Sequence, residues 1–260
     1  MKILLSNDDG IDAEGLTVLR DIARELTTPE NIWEVAPLTN QSGVGHCISY
    51  MTPLQMERRG ERRFAVNGYP ADCVLVALGE VMSEPPDLIL SGVNDGNNSG
   101  QNTLYSGTIG AAMEGALQGI RSIALSQYYG PRLKNSADRF ETARAFGPQI
   151  IKTLLNADWT EAPYRRFYNV NFAPVPAAEI KGTRVIHQGF RPSPFSATKA
   201  QAPNGRDYIY VAGGAQHIDD VTNGDVSANL DGYISITPMT ADLTEHAALR
   251  ALQSAFDLES

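Results

Sequence analysis

Ile3-Leu4-Leu5-Ser6-Asn7-Asp8-Asp9-Gly10 is the stretch from which the fold follows. A short apolar run ends abruptly in an amide, two carboxylates and a glycine. Such a run predicts a buried strand covered on both faces, as in a parallel sheet. Behind it, Leu16, Leu19, Ile22, Ala23 and Leu26 recur at helical spacing, which predicts a helix over 14–26. Ile32 to Val35 then reads as a second strand, stopped by Ala36-Pro37.

The same rhythm continues. Pro70 to Leu78 begins like a helix with Pro in its first turn. Asp87-Leu88-Ile89-Leu90 is another buried strand, followed by a glycine-rich loop from Ser91 to Gly100. Ile109 to Leu117 is small and apolar, a tightly packed helix, and Ser122 to Ser126 is again a strand. Strand, helix, strand, helix implies right-handed βαβ units. The expected fold is α/β, a Rossmann-like, mostly parallel sheet flanked by helices, with a C-terminal extended arm or hairpin region. In such folds ligands collect at the carboxyl ends of the strands.

The second half is less regular. A longer helix is expected over 137–155, strands over 167–172, 184–187, 208–211 and 233–237, and a closing helix over 243–252. From Phe190 to Arg206 the chain is rich in Pro, Ser, Gly and Ala, including Arg191-Pro192-Ser193-Pro194-Phe195. That stretch reads as an arm or loop. The 260 residues are expected to form a single domain: 1–130 is the core that carries the site, and 131–260 completes it and adds an oligomerisation arm near 190–240.

Composition narrows the function. Hydrophobic residues make up 42% and charged residues 20%, enough apolar material for a packed core. The net charge is -9, which argues against general nucleic-acid binding because phosphate backbones need a basic footprint. Cys47 and Cys73 are the only cysteines, too few for a disulfide scaffold. The N-terminal apolar run is far shorter than a signal-peptide core, and no window suits a membrane span. A soluble cytoplasmic protein is expected.

Polar clusters follow the strands. Asn7-Asp8-Asp9-Gly10 can be a plain turn, since all three residue types form turns. Its position after the first strand points instead to a cation site, because adjacent carboxylates at the end of a buried strand need a counter-charge. Hard oxygen ligands suit Mg²⁺, Mn²⁺ or Ca²⁺. Asn40-Gln41-Ser42-Gly43 offers neutral oxygens but reads alone as an ordinary loop. The stretch from Ser91 to Gly100 holds Asn94, Asn97 and Asn98 among glycines, suited to an anion or a metal. Tyr105-Ser106-Gly107-Thr108 precedes the small-residue helix. Its hydroxyls and glycine would bind an anion at the helix N-terminus, cap the helix, or both. His46 lies close to Ser42 and is a weak candidate for acid work or substrate contact. No Walker loop, G-x-S-x-G elbow or G-x-G-x-x-G after the first strand is present.

Together these clusters resemble the SurE family of metal-dependent nucleotidases. Leu5 to Ile11, Ala36-Pro37 with Gln41-Ser42-Gly43, Ser91-Gly92-Val93-Asn94 with Gly96, Asn98 and Gly100, and Tyr105 to Thr108 with Ala112 and Glu114-Gly115 carry the likeness. Gly68 to Val74 and Gly232 to Pro238 extend it to about residue 240. The resemblance implies one divalent cation per subunit, held by Asp8, Asp9, Ser42 and Asn94. It implies phosphate contacts at Asn98, Ser106, Gly107 and Thr108, and a homodimer or homotetramer with an exchanging C-terminal arm. Two departures bear on loop shape and substrate preference: Leu38 where an Asp commonly follows Ala-Pro, and Tyr69 where a Thr is common.

The expected activity is hydrolysis of nucleoside monophosphates, a 5'-nucleotidase reaction, with Asp8 catalytic. Whether water or Asp8 attacks phosphorus is left open by the residues. The alternative is a nucleotide-binding regulator without turnover. The acid pair separates the two, since a phosphate binder gains nothing from carboxylates beside an anion unless a metal intervenes.

Overall fold

The computed structural model describes residues 1–133, 136–157, 159, 162–192 and 195–257. Ser193 and Pro194, part of the expected arm, lie outside the described residues.

The elements in chain order are β1 (Ile3–Ser6), α1 (Glu14–Arg24), β2 (Ile32–Pro37), β3 (Met56–Gly60), β4 (Arg63–Val66), α2 (Pro70–Val76), β5 (Leu88–Asp95), α3 (Gly107–Leu117), β6 (Arg121–Gln127), α4 (Glu141–Leu155), β7 (Phe167–Phe172), β8 (Thr183–Val185), β9 (Ser196–Gln201), β10 (Asp207–Ala212), α5 (Asp225–Leu230), β11 (Ile234–Met239) and α6 (His246–Asp257). The described residues build a nine-stranded sheet in the order β3-β4-β2-β1-β5-β6-β7-β11-β8. From β4 to β7 neighbouring strands run parallel. β3 pairs antiparallel with β4 at one edge; toward the other, β11 pairs antiparallel with β7 and parallel with the edge strand β8. β9 and β10 form a separate antiparallel hairpin, which is the expected arm.

The alternation along β1 divides the core. Ile3 and Leu5 pack with Leu16, Leu19 and Ile22 of α1 and Ile151 of α4. Leu4, on the other face, packs with Val74 of α2, Ala111 of α3 and Ile89 of β5. With both faces covered, β1 has no polar side and its residues are buried throughout.

β1 pairs with β2 on one side and β5 on the other, Ile3 opposite Ile32 and Leu88 respectively. The chain leaves β1 in one direction and returns through β5 in the other. That reversal opens a crevice beyond the carboxyl ends of β1 and β5, where doubly wound sheets bind ligands.

Three expectations need adjustment. β5 does not stop at Leu90: Ser91 to Asp95 continue it, with a register shift against β6 between Ser91 and Asn94. Ser and Gly read as a loop, but a Cβ on Gly92 would lie 2.2 Å from the Leu125 carbonyl oxygen, so the neighbouring strand demands glycine there. β3 and β4 escaped the sequence reading because Arg58, Arg59, Arg62 and Arg63 mask the apolar pattern. The closing helix begins at His246, three residues later than expected, and runs to Asp257.

Candidate active site

Asn7 closes the turn after β1. Its side-chain NH₂ donates to the Gly10 carbonyl at 2.9 Å, and its Oδ1 accepts from the Gly10 N–H at 3.2 Å. Gly10 sits at φ +108°, a conformation that L side chains rarely adopt. The turn and the site are therefore one feature: the tight turn fixes where Asp8 and Asp9 point.

Asp8 is buried, and helix α3 begins against it. A Cβ on Gly107 would fall 2.8 Å from the Asp8 Cβ and 2.9 Å from the Pro70 Cγ, so only glycine admits this approach. Thr108 Oγ1 donates to Asp8 Oδ1 at 2.5 Å. Ser106 is the N-cap of α3, its Oγ accepting from the Ile109 N–H at 3.1 Å.

The loop after β2 is tied to the same place. The Gln41 N–H donates to the Asp8 carbonyl at 2.7 Å, and the Ser42 N–H to Asn40 Oδ1 at 2.8 Å. Asn94, at the end of β5, donates its NH₂ to the Gly96 carbonyl at 2.9 Å, which leaves Oδ1 as an acceptor. Asp8, Ser42, Asn94, Asn98 and Ser106 line one cavity of about 540 Å³. Asp9, Gly107 and Thr108 are neighbours of these residues in the chain but are not among the lining. Asp9 is half-buried and takes the Asp95 N–H at 3.3 Å and the Asn40 amide at 3.4 Å.

Asn98 is built in deeply. Its N–H donates to Asn171 Oδ1 at 2.7 Å, its NH₂ to Ser126 Oγ at 2.8 Å, and its carbonyl accepts from Asn169 at 2.8 Å. Strands β6 and β7 thus hold the glycine-rich loop at the mouth of the crevice.

Electrostatically the acid pair is under-compensated. Burial pushes the Asp8 carboxyl up to about 6, and Asp9 adds to it, while the Thr108 hydroxyl opposes. Burial also raises Asp9, against the Asp95 N–H. Arg139 pairs with Asp95 at 2.8 Å rather than with either of them. Two desolvated carboxylates beside an amide oxygen and a hydroxyl are a donor set for a hard divalent cation. Among the described residues no group of three His, Cys, Asp or Glu side chains is gathered. A cation here would take half its protein donors from the neutral oxygens of Ser42 and Asn94.

His46 lies apart from this cavity. It pairs with Glu114 at 2.7 Å and lines a neighbouring, more apolar cavity that meets the first at Ser106. Tyr129, Arg139, Phe195, Gln216 and His217 also line the Asp8 cavity, and sequence reasoning did not find them in this role. They come from distant loops and the arm. Tyr105 was visible only as a neighbour of the Ser106 motif.

The chain is similar to known proteins over its whole length. The family model described as Survival protein SurE matches residues 3–193. A curated protein of Ruegeria pomeroyi, named 5'-nucleotidase SurE, is 55% identical over 258 residues, 98% of this chain and 99% of the relative. One from Jannaschia with the same name is 51% identical over 263 residues, 99% of this chain and all of the relative. The crystal structure of the SurE protein from Aquifex aeolicus superimposes with a TM-score of 0.80 at 34% identity, covering both chains completely.

Proposed function

The chain belongs to the SurE family, and we infer that it acts as a 5'-nucleotidase, cleaving a nucleoside monophosphate to nucleoside and phosphate. The observation that carries this reading is the meeting of Asp8 with the N-terminus of α3, Thr108 Oγ1 standing 2.5 Å from Asp8 Oδ1. A carboxylate beside the positive end of a helix is what a phosphoryl-transfer site needs once a cation balances the charge. A regulator that only bound nucleotide would gain nothing from Asp8 and Asp9 beside its ligand.

Asp8, Asp9, Ser42 and Asn94 would hold one divalent cation. When bound, it supplies Lewis-acid polarisation of a phosphate oxygen. The chain's own residues do the rest. The start of α3, through the Gly107 N–H and the Ser106 hydroxyl, would receive the equatorial oxygens of the phosphate. Asn98, held by Asn169, Asn171 and Ser126, keeps the opposite rim in place. Gly107 lets the helix come close enough to Asp8 for one phosphate to touch both. Asp8, facing the cavity beside this cradle, is the carboxylate we assign to the reacting centre.

The sheet draws strands from both halves of the chain, which supports reading residues 1–260 as a single domain. No described helix is long and apolar enough to cross a membrane, in keeping with work in the cytoplasm on free nucleotides. We also propose that the chain works as a homodimer or homotetramer, built on the arm and α6. Tyr210 and Val211 on the hairpin are 62% and 72% exposed, and α6 is exposed from His246 to Phe256.

The test is phosphate release from a panel of nucleoside monophosphates, with EDTA and with Mg²⁺, Mn²⁺ or Ca²⁺ restored singly. Release that depends on a metal supports the reading. Failure with every nucleotide and metal overturns it.

A further inference from the structure

The cavity that takes in Asp8 is not lined by polar groups alone. Besides Asp8, Asn94 and Ser106 it is lined by Tyr105, Phe195 and Tyr129. Tyr105 immediately precedes Ser106, so its backbone lies one Cα step, about 3.8 Å, from the phosphate cradle. The Tyr105 and Phe195 rings meet edge to face, 4.7 Å between centroids at 60°. That arrangement makes a corner instead of a closed stack. Both rings stay half-exposed, 45% and 47%, although they line a cavity. The volume, about 540 Å³, lies within the roughly 300–1,000 Å³ of small-molecule sites.

Half-exposed rings in a cavity that also holds oxygen-rich, anion-seeking groups match an amphiphilic ligand with an aromatic head and a phosphate tail. We propose that the Tyr105–Phe195 corner is the nucleobase platform of this enzyme, an inference that rests on the nucleotidase reading above and adds to it. Stacking suits a base of any kind, because every base presents a π-face. The Gln216 amide beside the rings is already engaged: Oε1 accepts from the amides of Asn102 at 2.8 Å and Asn97 at 3.2 Å, and Nε2 donates to the Gly214 carbonyl at 2.7 Å. The rings are therefore assigned the larger share in holding the base.

Phe195 comes from the arm. It immediately precedes β9, and Gly213 and Gln216, just past the other strand of the hairpin, line the same cavity. Gln216 anchors that end: its carbonyl accepts from the Arg191 guanidinium at 2.8 Å and from the Tyr128 hydroxyl. The arm thus supplies one wall of the base platform, and its seating sets how well the base is held.

Phe195→Ala and Tyr105→Ala test this against two substrates, adenosine 5'-monophosphate and ribose 5-phosphate, the second lacking a base. In the wild type kcat/KM should favour the nucleotide by about tenfold or more. In each variant that ratio should fall toward one, mostly through KM for the nucleotide, and Phe195→Trp should restore it. Adenosine should lose potency as a competitive inhibitor in the alanine variants, while inorganic phosphate keeps its own. If both substrates decline together and the ratio holds, the rings are structural and the platform is wrong, although the nucleotidase reading stands. If the wild type releases phosphate from neither substrate with any divalent metal, the nucleotidase reading fails and takes the platform with it.

Discussion

Thr108 donates its hydroxyl to Asp8 across 100 positions of sequence, closing a 2.5 Å contact between the first turn of α3 and the end of β1. Burial raises the cost of keeping Asp8 charged, and this hydroxyl is its main opposing influence. A hydrogen bond to a charged group contributes about 1.5–3 kcal/mol. Thr108→Val keeps the shape and removes the donor. It should weaken metal-stimulated kcat/KM by roughly 10- to 100-fold, whereas Thr108→Ser should recover most of it. Steady-state kinetics over a metal titration would show this; an unaffected Val variant would refute the role.

Asp9→Asn removes one of the two carboxylate donors and changes little in packing, since Asp9 is only half-buried. Metal-stimulated hydrolysis should be abolished while the fold survives. A second readout is thermal: a ligand that binds only the native state raises Tm as its concentration rises. Millimolar Mn²⁺ should stabilise the wild type and leave Asp9→Asn unchanged. Equal Tm gains in the two proteins would place the cation elsewhere.

Gly107→Ala forces a methyl group to within 2.8 Å of the Asp8 Cβ and 2.9 Å of the Pro70 Cγ. Neither neighbour is the tip of a flexible side chain. Overpacking of this kind costs about 1–3 kcal/mol. A midpoint shift in urea denaturation should report it, with a larger loss in kcat/KM, because relief moves α3 away from Asp8. Wild-type stability together with wild-type activity would contradict the close approach.

Much of this arrangement was legible in the sequence. The unbroken apolar run of β1, helical spacing in α1 and the acids after the first strand are local signals, and they located the crevice. What stayed hidden was set by distant contacts. Ser91 to Asn94 looked like a loop because glycine and serine are ambiguous, yet a carbonyl of β6 against Gly92 makes them strand. β4 carries Arg63 in a strand because the guanidinium reaches Glu34, the Ile11 carbonyl and Asp12. Phe195 read as an apolar residue of an arm. That its ring meets Tyr105 depends on how the hairpin folds back, which no periodicity encodes.

Asp220 gives a pH signature remote from the acid pair. Burial works to raise it, but the N–H groups of Gly224 and Ser227 and the Thr222 hydroxyl and N–H hold it down at about 2. A depressed folded-state pKa stabilises above the unfolded value, roughly 3.9, and the benefit is lost as pH falls toward 2. Asp220→Asn should therefore be less stable than the wild type at pH 6, and the gap should narrow between about pH 4 and pH 2. Urea midpoints at pH 6, 4 and 2.5 measure it. A gap that stayed constant through this window would mean the charge is not what the loop from 220 to 227 uses.

Helix α6 bears on assembly. Leu249, Leu252 and Phe256 recur at i, i+3 and i+7, one apolar stripe, and they are 40%, 58% and 71% exposed. A lone twelve-residue helix is marginal in water, so its stability must come from packing. Just ahead of α6, Asp242 and Leu243 edge the more apolar cavity, about 820 Å³, that also takes in Val185, Met113 and Met239. A second copy of the chain would present the same stripe and the same cavity, and symmetric exchange would cover both. Light scattering at micromolar concentration should give a homo-oligomer mass. Leu249→Asp with Leu252→Asp should shift it toward the monomer, with a Tm that no longer rises with protein concentration. A strictly monomeric wild type with full nucleotidase activity would show that α6 and the arm serve a single subunit.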